Sequence, residues 1–396
     1  MTSIAAPAAG DRHSIALPAL VGFAIVAMTL GMPLNLPVAG RNLPLGPTDL
    51  MMLVLLVTLP AWYRGLPPLS LLTLCAGLFV LWAWTSSVFW SIDYRRSVLT
   101  AKSLLEAAIM FVACWHVARD GRNTVERAIR VMNVILVAQI LWIVWRLLGQ
   151  AEVLGYYALK NGIMLPLGGS NYLAVFLEFG LFFELLARRR GWPVLVALNG
   201  AGILLTFSRG ALLASGMMLA GLTVVMLFMR GRRPVAAAVI AAMLAAAVVV
   251  AVTPALQVML RAFEILSRTA DSRIELWQDA WQAAAWRPLT GVGYGAYESI
   301  GTLRDAHSLP MALLAETGVV GLALFSFALL AALGRALRFS ADPLAGHRRP
   351  EAQGLAAGLM VVLLHSLIEP FFLGFSAIWA AAVFAWIAGP WRVSEP

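Results

Sequence analysis

The sequence predicts an all-α polytopic membrane protein, and composition and hydropathy are the two observations that predict it. Hydrophobic residues make up 61% of the 396 residues and charged residues only 12%, against about 45–50% and about 25% in soluble domains. Runs of about 20 apolar residues, the length that crosses a bilayer as a helix, recur along the chain. Lipid is therefore the expected solvent for most of this chain.

Twelve apolar runs account for the predicted transmembrane helices. The first nine fall within 17–252 and the last three within 307–390, on either side of the longest polar stretch. In chain order the runs are 17–34, 47–62, 69–89, 98–117, 128–148, 171–186, 193–206, 211–229, 234–252, 309–333, 355–370 and 376–388.

The distribution of positive charge predicts how these helices are oriented. The formal net charge is +9, and arginine carries almost all of the positive charge. If residues 1–16 lie in the cytoplasm, 17 of the 29 basic residues fall in short loops on that side, as the positive-inside rule requires. We therefore expect both termini, 1–16 and 391–396, to be cytoplasmic. The basic charge reflects topology in this interpretation, and no nucleic-acid partner is expected.

The long loop over 253–306 is predicted to lie on the outer face and to contain an amphipathic helix over 272–285, with Ser272 as its N-cap. The apolar residues that recur at helical spacing there are Ile274, Trp277, Trp281 and Ala285. Tryptophan is typical of the membrane–water interface. The glycine-rich run 291–295 lacks a preceding strand and a P-loop lysine, so it is predicted to be a turn at a helix end.

The patterns of soluble enzyme classes are missing from the sequence. The five histidines are scattered rather than grouped as metal ligands, and no P-loop, nucleophile elbow or metalloprotease motif occurs. Cys75 and Cys114 lie inside apolar runs and are predicted to be small core residues. No metal, nucleotide or other cofactor is therefore expected.

Two arginines stand out because charge at or near lipid depth is costly and tends to be functional. Arg209 falls between two apolar runs, and Arg273 opens the amphipathic loop helix. One interpretation is that both side chains reach lipid headgroups. The alternative is an anion site, because a guanidinium donates two parallel hydrogen bonds to a phosphate. Helix N-termini also favour anions, so a bound anion would explain a cation at the start of a helix.

A histidine and a carboxyl group at the outer end of the tenth run are further candidates. His307 belongs to the residue type most easily used as a base or acid near neutral pH, although a satisfied interfacial histidine is the commoner role. Glu316 lies nine residues on, about 14 Å deeper in a helix, where a buried carboxylate would need a partner such as an arginine or would be protonated. Structural pairing is the expected role. His365 and Glu369 would share one helix face, either closing the same cavity or packing.

Two patterns in this region resemble motifs of the O-antigen ligase family. The pattern of arginine, three residues and leucine is matched from Arg209 to Leu213. The pattern of histidine, serine, nine residues, glycine, two residues and glycine is matched from His307 through Gly318 to Gly321. The first pattern is weak alone and the second is more specific, and both flank the long loop on the expected side. The resemblance covers most of the chain in topology and 204–370 in motif.

The resemblance implies a GT-C-like glycosyltransferase of the bacterial inner membrane with a periplasmic active site. It implies transfer of O-antigen from undecaprenyl pyrophosphate to lipid A–core in lipopolysaccharide biosynthesis, without metal or ATP and with inversion. Arg209 and Arg273 would bind the pyrophosphate and His307 would be the base. Lower-ranked substrate contacts are Glu316, Arg287, Arg304, Tyr294 and Lys160, and further candidates in the loop after the fifth run are Tyr156, Tyr157 and Asn161.

Three other functions share parts of this pattern. An O-antigen polymerase would use the same donor with a second lipid-linked glycan as acceptor, and the complete histidine motif favours the ligase. A protein O-oligosaccharyltransferase is less expected, because those chains typically carry a further soluble domain and this sequence stops at Pro396. A lipid-linked glycan transporter would fit twelve helices, but transporters often show inverted repeats, and the sequence shows no repeat.

Overall fold

The computed structural model describes residues 16–30, 34–38, 41–120, 123–148, 160–228, 273–300 and 305–389, together with positions 233, 237 and 240. These residues are mostly helical, as the all-α prediction requires. The helices are α1 (Ala16–Ala27), α2 (Pro47–Val57), α3 (Leu59–Trp62), α4 (Leu71–Phe89), α5 (Tyr94–Arg119), α6 (Thr124–Leu148), α7 (Ser170–Ala187), α8 (Trp192–Leu205), α9 (Arg209–Phe228), α10 (273–286), α11 (Leu309–Ala341), α12 (Arg349–Ser366) and α13 (Ser376–Ala388).

Short elements complete the described part of the chain. Strands β1 (Leu34–Val38) and β2 (Arg41–Leu45) form an antiparallel hairpin in which Leu34 pairs with Leu45. A second small antiparallel pair, β3 (Met164–Leu165) and β4 (Gly168–Gly169), precedes α7. Two 3₁₀ helices cover Tyr297–Ser299 and Pro343–Arg348.

Six of the described helices are long and apolar enough to cross a membrane, namely α4, α5, α6, α7, α9 and α11. Shorter apolar helices are α1, α2, α8 and α13. Eleven of the twelve predicted runs coincide with described helices, and the ninth, 234–252, lies outside the described residues apart from positions 237 and 240. The polytopic class is supported, while the predicted count of twelve stays a prediction.

Three predicted runs end differently in the structure. The run 17–34 was expected to be one helix, but α1 ends at Ala27 and Leu34 already belongs to the hairpin. The run 47–62 is divided into α2 and α3 at Thr58, whose hydroxyl donates to the Val54 carbonyl at 2.7 Å. The run 355–370 stops as helix at Ser366, because the residue before Pro370 is disfavoured in helical geometry.

The run 291–295, here the glycine turn, forms the turn predicted for it, with positive φ at Gly291, Gly293 and Gly295. It pairs with a break in α11, where Gly318 has φ +67°. Because the helix is interrupted there, carbonyls of α11 accept from the turn. The N–H groups of Val292 and Gly293 donate to the carbonyls of residues 315 and 316 at 2.9 and 3.0 Å.

The amphipathic helix predicted over 272–285 is present as α10, and side chains of its predicted apolar stripe lie on the protein surface. Ile274 and Trp281 are exposed. The residues that pack inward are Leu276, Ala280, Ala283 and Ala284. Small side chains allow α10 to approach the protein closely, and its larger apolar side chains face outward. The predicted N-cap, Ser272, lies outside the described residues.

The core of the bundle is built from α5, α7, α12 and α13. Buried aromatic rings of Phe176, Phe179 and Phe371 surround Trp379 in edge-to-face contacts with centroids 4.9–5.6 Å apart, a favourable geometry for aromatic pairs. This rigid centre holds the ends of α7 and α12 in fixed positions.

An ion network ties the same helices together at one end of the bundle. Arg130 of α6 forms a two-pronged pair with Glu184 of α7, with N···O distances of 2.5 and 2.6 Å. Arg189 pairs with Glu351 of α12 at 2.5 Å, and Trp386 of α13 donates to the same carboxylate at 2.7 Å. The candidate site lies at the opposite end of α7, where Ser170 begins the helix.

Candidate active site

His307 is held by two carboxylates at the entrance to α11. Its Nδ1 lies 2.8 Å from Oε2 of Glu369 and 3.0 Å from Oδ1 of Asp305, and its backbone N–H donates to the same Asp305 oxygen at 2.8 Å. The backbone of His307 has φ +44°, a conformation that costs free energy in a non-glycine residue and is enriched at functional sites. The side chain is 35% exposed, so the ring is fixed on one side and accessible on the other.

Glu369 is almost fully buried, 3% exposed, and its charge is compensated from three directions. Asn171 of α7 donates to Oε1, while His307 contacts Oε2. Burial alone would raise the pKa of Glu369, but these hydrogen bonds and the nearby charges of His307 and Arg273 hold it below its ordinary value. The hydrogen bond to Glu369 in turn raises the pKa of His307 above its ordinary value, against the effect of burial. Glu369 is therefore held as a carboxylate against Nδ1 of His307, where it fixes the position of the ring.

Arg209 is placed by a tight turn between two apolar helices. α8 ends at Leu205 and α9 begins at Arg209, which confirms that few residues separate the two runs. Within the turn Phe207 has φ +53°, and Ser208 is fully buried with its Oγ accepting from the N–H of Ala211 at 3.3 Å. The hydroxyl acts as an N-cap and fixes the direction in which α9, and thus Arg209, starts.

Three cations from separate parts of the chain converge near the His307–Glu369 pair. Burial lowers the pKa of Lys160, and the charges of Arg209 and Arg273 lower it further, while Glu369 opposes the effect. Arg273 also lies close enough to His307 to lower the pKa of that ring. The group that we call the His307 cluster comprises His307, Asp305, Glu369, Arg209, Arg273 and Lys160. The three cations of the cluster outnumber its two carboxylates, and the excess positive charge suits an anion.

Two helix N-termini reinforce the positive potential of the cluster. α9 starts at Arg209 and α11 starts two residues after His307. Ser308 occupies the N-cap position of α11 without a side-chain capping bond. The first N–H groups of a helix lack intrahelical partners and carry the positive end of the helix dipole. Such termini are suited to phosphate binding.

The structure therefore brings together four of the predicted site residues, His307, Arg209, Arg273 and Lys160. Asp305, a partner of His307, and Asn171, a partner of Glu369, were missed. Glu369 was noticed, but as a neighbour of His365 on one helix face. That interpretation was wrong, because α12 ends at Ser366.

The side chains of the other predicted contacts make separate interactions. Arg287 donates to the Trp90 carbonyl and stacks on Trp286. Tyr294 is fully buried, and its hydroxyl accepts from the Gly374 N–H at 2.8 Å. Buried Glu316 accepts a hydrogen bond from the backbone N–H of Gly295. The partner is therefore a backbone group and not an arginine. Asn161 is exposed. The predicted contacts that lie outside the described residues are Arg304, Tyr156 and Tyr157.

A second histidine–carboxylate pair lies directly beneath the cluster. His365 Nδ1 is 2.6 Å from Glu178 Oε2, and Ser215 donates to the other Glu178 oxygen at 3.0 Å. A Cβ on Gly210 would lie only 2.8 Å from His365 Nε2. This fully buried pair therefore supports the residue that follows Arg209, and packing is the role that the contacts favour.

Comparison with known families addresses the same region of the chain. Residues 194–326 match the family model described as O-Antigen ligase. The matched segment, 133 of the 396 residues, is similar to the O-antigen ligase family. This finding confirms the resemblance predicted from the sequence. The comparison with curated proteins returned no match.

The O-antigen ligase segment contains Arg209, Arg273 and His307 but neither Lys160 nor Glu369. The family comprises membrane glycosyltransferases of the ligase and polymerase type, so the match supports this broad activity for the chain. Lys160 precedes α7 and Glu369 follows α12, so both lie outside the matched segment. The fold brings both residues to the His307 cluster.

Proposed function

We propose that this protein is an O-antigen ligase that transfers a glycan from undecaprenyl pyrophosphate to lipid A–core at the periplasmic face of a bacterial inner membrane. The observation that carries the proposal is the convergence of Arg209, Arg273 and Lys160 on the His307–Glu369 pair. This arrangement combines an anion-binding surface with an oriented base, which are the two elements that this transfer requires.

The cations suit the leaving group of the reaction. As the glycosidic bond breaks, the pyrophosphate oxygen gains negative charge, and preformed positive charge at that point stabilises the transition state. Arginine donates two parallel hydrogen bonds to a phosphate, whereas lysine acts as a point charge. Arg209 and Arg273 are accordingly assigned to the pyrophosphate, with Lys160 and the N-terminus of α9 adding to the same potential.

The histidine suits the acceptor. The acceptor hydroxyl attacks the anomeric carbon as the bond from that carbon to the pyrophosphate oxygen breaks, and the hydroxyl proton moves to His307. Glu369 and Asp305 both face Nδ1, so Nε2 is the nitrogen assigned to take the proton. Undecaprenyl pyrophosphate leaves, and direct displacement inverts the anomeric centre. A carboxylate behind an imidazole orients the ring and stabilises the imidazolium that forms.

An apolar groove next to the cluster supports a lipid-linked substrate. It has a volume of about 210 Å³ and lies between α11 and α12. Its walls start at Leu309, two residues after His307, and at Leu367, two residues before Glu369, and continue down to Leu330. A hydrocarbon chain lying in this groove would leave its pyrophosphate at the cluster.

Reconstitution tests the proposal. Purified protein is mixed with undecaprenyl-pyrophosphate glycan and lipid A–core, with a chelator and without ATP, and the products are separated on a gel. We expect glycan on lipid A–core. Glycan that lengthens only on the donor lipid would identify a polymerase, and a bound but unreacted donor would favour a transporter.

A further inference from the structure

A second polar pocket lies at the end of the bundle opposite the His307 cluster. It has a volume of about 80 Å³ and is lined by residues of α1, α3, α5 and the segments that follow α3 and α5. Arg64 and Arg119 are exposed at its wall, and Asp120 is the acidic residue that lines it. The charged side chains of the pocket therefore sum to one positive charge, and an anion is the favoured occupant.

One buried polar group in this pocket lacks a partner. His116 is 4% exposed, and one ring nitrogen bonds to the backbone of Gly65. The other, Nε2, is buried and has no hydrogen-bond partner among the described residues. An unpaired buried polar atom costs free energy. A ligand that brings a hydrogen-bond donor into the pocket would remove this cost.

Aromatic rings surround the same histidine. The rings of Trp62, Tyr63 and Trp115 lie with their centroids 5.0–6.0 Å from that of His116, and Arg119 lies over Trp115 at 5.7 Å. Tryptophan and tyrosine combined with arginine are typical of the level of lipid headgroups.

The length of α5 places the pocket at the other face of the membrane. Ser97 near its start lies against the glycine turn, and the neighbouring Arg96 pairs with Glu298. Nineteen residues separate Ser97 from His116, which is about 29 Å of helix. This length equals the hydrocarbon thickness of a bilayer.

The extended segment 63–70 contributes both to the pocket and to a separate apolar groove. The groove has a volume of about 430 Å³ and lies among α4, α5, α11 and α13. Arg64 lines the pocket, while Leu66 and Pro67 line the groove. On α5, Val112 of the groove precedes His116 of the pocket by four residues and so lies on the same helix face. One molecule with a charged head and an apolar chain fits both.

We infer that the pocket and groove bind a phospholipid with an anionic, hydroxyl-bearing headgroup from the leaflet opposite the His307 cluster. The phosphate contacts Arg64 and Arg119, a headgroup hydroxyl donates to Nε2 of His116, and an acyl chain lies in the groove. Basic pockets between helices at such a face are suited to anionic headgroups. The lipid would join α1, α3 and α5, which line the pocket, to α4, which lines the groove.

Native mass spectrometry of the purified full-length protein in detergent tests the headgroup site. Phosphatidylglycerol is titrated against phosphatidylcholine, and we expect phosphatidylglycerol to be retained preferentially. Arg64→Gln and Arg119→Gln should each weaken its binding about 5-fold, as expected for one basic residue near a lipid surface. Arg338→Gln is the matched control, because Arg338 is exposed and bonds to the carbonyl of Gly334 on its own helix. Equal retention of both lipids, or equal effects of all three substitutions, would overturn the inference.

Two further experiments distinguish a lipid from a free phosphate as the ligand and test whether an acyl chain lies in the groove. Soluble glycerol phosphate should not displace phosphatidylglycerol, and complete displacement would overturn the lipid assignment in favour of a free-anion site. Gly77→Leu should weaken lipid binding, because Gly77 lines the groove and a side chain there meets open space. Gly216→Leu on α9 also places a side chain in open space, but it should not weaken lipid binding. Equal binding by the two glycine variants would overturn the placement of the chain.

Discussion

At the scale of single residues, Glu369 and His307 stabilise each other. Glu369 is buried where an isolated carboxylate would be strongly disfavoured, and His307 adopts a backbone conformation that few histidines adopt. Together with Asn171 the two form a connected polar group. Such a group has the properties of an oriented base, because its ring position is fixed before substrate arrives.

The pH dependence of transfer should reveal this pairing. A general base must be neutral, so the rate falls as the pH drops through the pKa of His307, which Glu369 raises. Glu369→Gln removes the negative charge, so we expect a lower rate and an acid limb displaced to lower pH. Asn171→Ala removes a neutral donor and should leave the limb near its wild-type position. A slower Glu369→Gln enzyme with an unmoved limb would show that the contact is only structural.

Loss of the ring itself should affect turnover rather than donor binding. We expect His307→Ala to lower kcat by about 10²- to 10⁴-fold, the usual contribution of a general base, while undecaprenyl pyrophosphate still binds. Single-turnover transfer and a separate binding assay make this comparison. A variant that keeps substantial activity would mean that the arginines suffice and that His307 is not the base.

At the scale of elements, the segment around the glycine turn and the break in α11 interlock through glycines. A Cβ on Gly318 would overlap the carbonyl of Leu289, and a Cβ on Gly291 would overlap the backbone of residue 316. Both glycines have positive φ. Gly318 and Gly321 are the glycines of the histidine motif. Gly318 allows the segment before the glycine turn to pack against the α11 break, whereas Gly321 packs against Thr317 and Trp82.

Substitution at this contact should be costly. Gly318→Ala combines an unfavourable φ with a backbone overlap, and we expect it to lower the free energy of unfolding by about 2–4 kcal/mol. Gly334→Ala on the same helix meets open space and should be neutral or stabilising by up to about 1 kcal/mol. Thermal unfolding in detergent compares the two variants. Equal melting temperatures would contradict the interlocking role.

The helices were predictable because lipid imposes length and hydropathy on each of them. The turn that presents Arg209 was equally visible, since two apolar runs meet there. Glu369 was not predictable as a partner of His307, because it meets the ring only after α12 ends early and the chain folds back. The inward face of α10 was not predictable, because it consists mainly of alanines, which do not stand out from the sequence as a packing surface.

At the scale of the whole molecule, the two ends of the bundle differ in chemistry. One end holds the His307 cluster, the glycine turn and α10 with its exposed tryptophans. The other holds the Arg130–Glu184 network, the arginines of the loop after α7, and the pocket around His116. The positive-inside rule predicts that the arginine-rich end is cytoplasmic, and this orientation stays a prediction.

Cysteine labelling in intact cells tests that orientation. The native Cys75 and Cys114 are buried and should not react with a membrane-impermeant reagent. Gln282→Cys on the exposed side of α10 should react from the periplasm, whereas Arg338→Cys at the far end of α11 should react only after the cells are opened. The reverse pattern would place the His307 cluster on the cytoplasmic side and exclude the proposed acceptor.

The most direct test of the central claim, that the His307 cluster binds the donor pyrophosphate, is donor binding and transfer by arginine variants. Folded Arg209→Ala and Arg273→Ala proteins should lose most transfer and most affinity for undecaprenyl pyrophosphate. Arg287→Ala should retain both, because Arg287 bonds to the Trp90 carbonyl instead. Normal binding and transfer in well-folded Arg209→Ala and Arg273→Ala variants would contradict the account.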